Sequence, residues 1–328
     1  MGLSLLLGAL VSGAALWLIA RSVDFNQTLA ALTASDLFWF ALAFALQVAA
    51  SLVAVRRWQA LLNPYPTHFR ALAQIYFAAH LLNTVLPAKL GAVARVLLAA
   101  EQEHLNVGAS LGSVAIEKVL DTLLMLALLL LLIPFAPLPD WVRDSVGASA
   151  LFVLVGVAVL ASVGRFREPL LNWLARAESK LCGHASRRVS GFARGMLASL
   201  VNLTRRREAL TVLGWTALLW TLGVAVNYVL FRALNISLSW SAAIFLLVVL
   251  QIGTRVPALP ANLGVFHYLV IVALGVYGVD ESAALAYAIL LHLVVFILTA
   301  LIGAACALPL SARLTLLASD SLRQTNRP

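Results

Sequence analysis

Charge is what this sequence has least of. Asp, Glu, Lys and Arg make up 11% of its 328 residues, where soluble domains carry roughly 25%. Apolar residues fill the deficit at 62%, more than a core of this chain length would bury, so a soluble globular domain is excluded. Cysteine is nearly absent too. Cys182 lies in a basic segment and Cys306 in the last apolar run, which excludes a disulfide framework. The patterns that mark common chemistries are missing: no nucleophile elbow, Walker loop, dinucleotide fingerprint or paired metalloprotease histidines. That argues against a self-contained ATP-driven pump and leaves no catalytic motif to point to. Glu101, Glu103 and His104 crowd together without any zinc spacing. No cofactor, metal or nucleic-acid module is expected. Basic residues are also missing before the first apolar run, Leu3 to Ala20. A secretory signal would begin with them, so this run reads as a retained span.

What is present is long apolar sequence. A span needs about 20 mostly apolar residues. Residues 3–20, 37–55, 119–135, 146–163, 209–231 and 283–309 qualify. The fold class is an all-α polytopic membrane protein with about six full spans. Two further apolar regions, about 71–100 and 240–278, are each interrupted. The interruptions carry nearly the same words: Leu-Pro-Ala-Lys-Leu-Gly at 86–91 and Leu-Pro-Ala-Asn-Leu-Gly at 259–264. Pro removes a backbone donor and Gly admits turns that other residues resist. Pro87, Gly91, Pro257, Pro260 and Gly264 are therefore the expected breaks and hinges. In lipid, broken helices are tolerated only where protein or a water-filled cavity satisfies the freed backbone groups. Paired interruptions in two halves of a chain are a pointer to a transporter's binding site. Each region is predicted as a broken re-entrant helix pair.

The net charge of +9 is unevenly spread. Residues 165–208 hold ten Lys or Arg against three acids. Basic excess beside spans sets orientation, so this segment and the Arg56, Arg57 and Arg70 loop are predicted to be cytoplasmic, along with both termini. Residues 21–36 and 136–145 then fall outside, and 101–118 inside. The assignment closes only if both broken regions return to their side of entry, the first from the cytoplasm and the second from outside. Modules 37–135 and 209–309 would then be inverted repeats within a single transmembrane domain. Within 165–208, Phe192, Met196, Leu200 and Leu203 share one helical face flanked by arginines, as in an interfacial amphipathic helix. A solvated helix between spans fits the same pattern. The basic excess suits anionic lipid headgroups.

Ionisable groups within a bilayer cost about 2.5–3.5 kcal/mol each on insertion scales and so mark candidate sites. Around the first break these are Asn83, Lys89 and Arg95. Glu117 and Asp121 follow at a four-residue spacing, on one helix face. Two readings fit: a structural ion-pair cluster holding the turn, or Lys89 and Arg95 gripping a lipid phosphate with the carboxylates steadying them. Around the second break lie Arg255 and His267, with His292 in the last span. The histidines read either as neutral hydrogen-bonding groups or as a proton-sensitive pair.

The run from Asn83 through Leu-Pro-Ala-Lys-Leu-Gly to Arg95, then Glu117 and Asp121, resembles the transmembrane region of lysylphosphatidylglycerol synthase/flippase proteins, a family that includes stand-alone flippase-like membrane proteins. Arg57-Trp58, Pro257-x-x-Pro260 and Gly264-Val265-Phe266 fit the same pattern. The resemblance covers nearly the whole chain. It departs at His267, where the family usually has Glu, and at His292, where it often has Arg. The soluble aminoacyl-transfer domain of the bifunctional relatives is not found in this sequence. The resemblance thus implies a lipid translocator of a bacterial-type inner membrane, handling an anionic or polyprenyl-linked lipid. An intramembrane lipid-phosphate transferase with Glu117 or Asp121 as base is the alternative from the enzyme class. A membrane partner that recruits a cytoplasmic lipid-modifying enzyme is the alternative from the binding class, and a homo-oligomer is a further partner expectation.

Overall fold

The computed structural model describes residues 2–85, 90–136, 147–159, 205–256 and 258–325, with isolated positions between 162 and 199. Pro87, Lys89 and Pro257 lie outside the described residues, as does most of the 165–208 segment.

Among the described residues the longer elements are all α-helices: α1 (Gly2–Ser22), α2 (Phe25–Thr33), α3 (Leu37–Leu61), α4 (Phe69–Val85), α5 (Gly91–Gln102), α6 (Val107–Leu132), α7 (Gly147–Val159), α8 (Arg206–Ala233), α9 (Trp240–Gly253), α10 (Val265–Gly275) and α11 (Glu281–Thr325). A short 3₁₀ turn, Pro260–Asn262, sits between α9 and α10. Side-chain caps start several of them. Asp24 accepts from the Asn26 and Gln27 N–H groups at the head of α2, Asp36 from Phe38 at α3, and Asn106 from Gly108 at α6. These acceptors satisfy amides that a helix start leaves unpaired.

Several apolar helices suit a membrane protein. By length and composition, three described helices can cross a bilayer: Leu37–Leu61, Arg206–Ala233 and Glu281–Leu308, with a fourth if the bent pair α1–α2 counts as one span. Large apolar side chains are widely exposed, among them Leu10, Leu154 and Leu301, as a lipid-facing surface requires. Some boundaries differ from the sequence expectation. Segment 21–36, expected as an outer loop, contains α2, turned by 87° from α1. The span expected at 119–135 belongs to a helix that already begins at Val107. Glu117 and Asp121 depress the hydropathy there, but their charges are met inside the protein and the helix runs through them.

Helix directions follow from a few contacts. The Asp36 N–H at the start of α3 donates to the Ala233 carbonyl at the end of α8, at 2.8 Å. At the other ends Leu61 and Val212 share one apolar cluster. Thus α3 and α8, the first long helices of the two halves, lie antiparallel. Helices α4 and α5 pack on each other, and the His68 N–H before α4 donates to Glu103 after α5, at 2.8 Å. Their outer ends therefore lie together, beside the end of α3. Helices α9 and α10 form a second packed pair. The Phe245 ring lies 5.8 Å from Tyr277, so this pair is also closed at its outer end, beside the end of α8. The outer ends of the two pairs thus lie at opposite ends of the helix bundle. Contacts in the two halves correspond: α4 packs on α11 and α6 on α9, while α5 packs on α6 and α10 on α11.

Candidate functional site

Each broken pair is closed by a specific polar contact. At the first break, Asn83 Oδ1 accepts the Gly91 N–H at 2.8 Å, tying the end of α4 to the start of α5. Gly91 is buried, and a Cβ there would collide with the Ala79 carbonyl and the Asn83 side chain. Only glycine lets the two backbones approach this closely. At the second break Ala261, Asn262 and Gly264 all take positive φ. The Leu259 N–H donates to Ser12 Oγ at 2.9 Å, and a Cβ on Gly264 would meet the Ser12 carbonyl at 2.7 Å. Helix α1 is therefore the brace of the second break. Ser12 has no local signature, and nothing in its sequence surroundings singles it out.

Of the charged candidates of the first half, Arg95, Glu117 and Asp121 come together in one network with Arg57. Arg95 on α5 bonds Glu117 on α6 through both terminal nitrogens, at 3.1 and 2.7 Å. The Arg95 guanidinium also lies 3.9 Å over the Trp58 ring and 5.3 Å from Tyr76. Asp121 accepts both terminal nitrogens of Arg57, at 2.5 and 3.2 Å, and the Trp220 indole N–H at 3.2 Å. Arg57 also approaches Glu117 at 3.4 Å. Trp58 donates to Ser113 at 3.0 Å. Bidentate geometry and low exposure (2% for Arg57, 7% for the Glu117 side chain) make this a closed, desolvated cluster.

Arg57 is a correction to the basic-loop expectation. Both Arg56 and Arg57 sit inside α3 rather than on a loop, and one helical step turns Arg57 into the protein while Arg56 stays exposed. Arg56 stacks over Phe69 at 4.0 Å. The wish of Glu117 and Asp121 for two partners was the available signal, and sequence spacing assigned them to Lys89 and Arg95 instead.

Two cavities adjoin at the meeting of the breaks. One, of about 340 Å³, is bounded by Arg57, Glu117, Lys118, Asp121, Asn227 and Gln251 among others. The second, of about 380 Å³, includes His80, Asn83, Gln251, Asn262, His292 and Thr299 in its wall. His80, Gln251 and Phe266 belong to both walls, so the two cavities lie side by side. Helix α4 touches the Pro260–Asn262 turn directly. Arg255 is exposed and reaches Thr122, next to Asp121, at 3.4 Å. Lys118 is exposed and has no carboxylate within ion-pair distance among the described residues. Arg57 and Lys118 thus share the wall of the first cavity with Glu117 and Asp121, while Arg95 and Arg255, held by Glu117 and Thr122, stand outside its lining. His267 and His292 stack with ring centroids 5.0 Å apart, between Phe266 and Phe296. Lys118, His80, Gln251 and Trp220 were not among the sequence candidates.

Residues 5–303 match the family described as the lysylphosphatidylglycerol synthase TM region. The chain belongs to this family. The match spans both breaks, the ion network and both cavities. A relative within reach of direct comparison is the UPF0104 membrane protein MJ1078 of Methanocaldococcus jannaschii, 26% identical over 226 residues, covering 68% of this chain and 91% of the relative. Membership in this transmembrane-region family, together with the apolar helices, establishes a membrane protein. At residue level, the network joins four of the positions on which the family resemblance rests, Arg57, Arg95, Glu117 and Asp121.

Of the remaining expectations, Phe192 and Ser199 are described within the basic segment. Ser199 Oγ donates to the Ala109 carbonyl at 2.9 Å, and Gly195 abuts Asn106 and Ala109. The Phe192 backbone also lies against Gly108 at the start of α6; Met196, Leu200 and Leu203 of the predicted apolar face lie outside the described residues.

Proposed function

We propose that this protein moves an amphiphilic lipid with an anionic, phosphate-bearing headgroup between bilayer leaflets. The observation that carries the reading is the meeting of two helix breaks over adjoining cavities, beside which Arg57, Arg95, Lys118 and Arg255 outnumber Glu117 and Asp121. Arg57, Arg95, Glu117 and Asp121 form a rigid wall. Lys118 and Arg255 supply the donors that are not committed to carboxylates, and Lys89 joins them on sequence grounds. The headgroup enters the cavities while the acyl or prenyl chains stay in hydrocarbon.

The architecture proposed for this task is two inverted modules, 37–135 and 209–309, each a span, a re-entrant pair and a second span, in a bacterial-type inner membrane with both termini cytoplasmic. Antiparallel α3 and α8, the oppositely placed outer ends of the two pairs and the corresponding helix contacts support it. Inverted repeats hold substrate near the bilayer midplane, at their interface. The lone pairs of Glu117 and Asp121 are engaged by arginine, which speaks against the transferase alternative.

The test is scrambling of tail-labelled lipids in reconstituted vesicles. Wild-type protein should move anionic lipid several-fold faster than Lys118→Ala/Arg255→Ala protein reconstituted at equal density. Equal rates for wild type, variant and protein-free vesicles across anionic and polyprenyl lipids would overturn the reading.

A further inference from the structure

The two adjoining cavities differ in chemistry. The first has basic and acidic groups in its wall. The second has none among the described residues; its polar lining consists of amides, hydroxyls and imidazoles, including Asn83, Asn262, Gln251, Thr299, His80 and His292. Its aromatic surface is ample: His292 packs edge-on against Phe266 at 5.3 Å and stacks near Phe296 at 5.9 Å, and His80 stacks on Tyr76 at 5.9 Å.

Amides offer donors and acceptors together, and hydroxyls and neutral imidazoles do the same. They pair best with a ligand whose groups are also both donor and acceptor, which is the property of a hydroxyl. Flat rings suit the C–H faces of a sugar or cyclitol. A cationic headgroup would instead call for a carboxylate, and a second phosphate for Arg or Lys; neither lines this cavity among the described residues. The walls meet at Gln251, His80 and Phe266, so a ligand occupying both cavities would place a phosphate in one and its substituent in the other.

We infer that the headgroup is a phosphate esterified to an uncharged polyol, a sugar or cyclitol, with the phosphate in the cavity bounded by Lys118 and the polyol in the cavity bounded by Gln251, Asn262 and His292. This rests on the lipid-binding reading above and names its substrate class. The anchor is either diacylglycerol or a polyprenyl chain; the shared feature is the phosphate–polyol unit.

Competition binding to the full-length purified protein in neutral detergent, read by native mass spectrometry, tests it. Two matched pairs serve as probes: phosphatidylinositol against phosphatidic acid with identical acyl chains, and glucosyl-phosphoryl polyprenol against the bare polyprenyl phosphate. The polyol-bearing member of at least one pair should be retained about tenfold more, a difference of about 1.4 kcal/mol, and the pair that discriminates identifies the anchor. Gln251→Leu/His292→Phe should bring that ratio to about twofold or less. If the double variant fails to fold, Gln251→Leu alone, at an exposed position, carries the comparison. Ratios within twofold in both pairs for the wild type, with all four lipids still bound better than phosphatidylcholine, would overturn the polyol inference and leave the anionic-lipid reading standing. A ratio that survives in the variants would also overturn it. Binding of all four no better than phosphatidylcholine would remove both.

Discussion

Replacing Glu117 by alanine should be the most damaging single change in the ion network. Arg95 has both terminal nitrogens on Glu117, and its Nε is buried without a partner among the described residues. Loss of the carboxylate leaves a desolvated guanidinium held only by the faces of Trp58 and Tyr76. Breaking a buried pair in this way costs about 3–5 kcal/mol. Arg57 loses its 3.4 Å contact but keeps Asp121. Asp121→Ala should cost less, about 1–3 kcal/mol, because that side chain is 20% exposed and Arg57 retains Glu117. Replacing both members of the tighter pair, Arg95→Leu with Glu117→Leu, removes the orphaned charge as well. The double variant should therefore be more stable than the sum of the single changes implies, by about 2–3 kcal/mol. The assay is equilibrium unfolding in mixed micelles of neutral detergent and dodecyl sulfate, followed by tryptophan fluorescence, at low and high salt. Buried pairs are little screened, so the coupling should persist as salt rises. A Glu117→Ala variant within about 0.5 kcal/mol of wild type, or strict additivity in the cycle, would refute the assignment of Arg95 to a desolvated structural pair.

Three further outcomes follow from the breaks and the core. Gly91→Ala should cost about 1–3 kcal/mol in the same assay, because the added methyl meets the Ala79 backbone rather than a movable side chain. Ser12→Ala should destabilise by about 1–3 kcal/mol by stranding the Leu259 N–H, and should raise labelling of a cysteine introduced at Leu263 in the neighbouring turn. Tyr287→Phe, at a fully buried position, removes the donor that Asn227 accepts through its carbonyl and Oδ1 at 3.1 and 2.9 Å. It should cost about 1–2 kcal/mol without altering lipid selectivity.

Much of the fold was legible because the breaks are written in residues whose backbone chemistry is unambiguous. A Pro and Gly pair inside an apolar run interrupts a helix whatever surrounds it, and the structure turns the chain at both places. Glu117 and Asp121 were legible as one face of a helix, and Arg95 as their partner. Arg57 was not: hydropathy assigns it with Arg56 to a loop, whereas its side chain points to the opposite side of α3. Lys118 was hidden by adjacency to Glu117, since a single helical step separates a buried position from an exposed one. Helix α2 escaped notice because residues 25–33 are short and only partly apolar. The Ser12–Leu259 contact joins residues 247 apart in the chain, and no local pattern encodes such a partner. The histidines were legible as residues but not as a stacked pair, which depends on how α10 meets α11.

Under the proposed reading, the division between closed and open charge has a mechanistic consequence. A carrier must bind its cargo well enough to draw it from one leaflet and weakly enough to release it into the other. Arginines whose two terminal nitrogens already face a carboxylate cannot clamp a phosphate without breaking a buried pair, so they set the shape and field of the cavity and do not trap the ligand. Lys118, exposed in the cavity wall, and Arg255, exposed and bonded to Thr122, can engage and let go at small cost, since exposed charges regain water when the ligand leaves. A network that consumed all the basic groups would have no affinity, and one that left Arg57 and Arg95 free would hold a phosphate too tightly in a desolvated site. The observed arrangement, two arginines closed by two carboxylates with two further cations left over, lies between these limits.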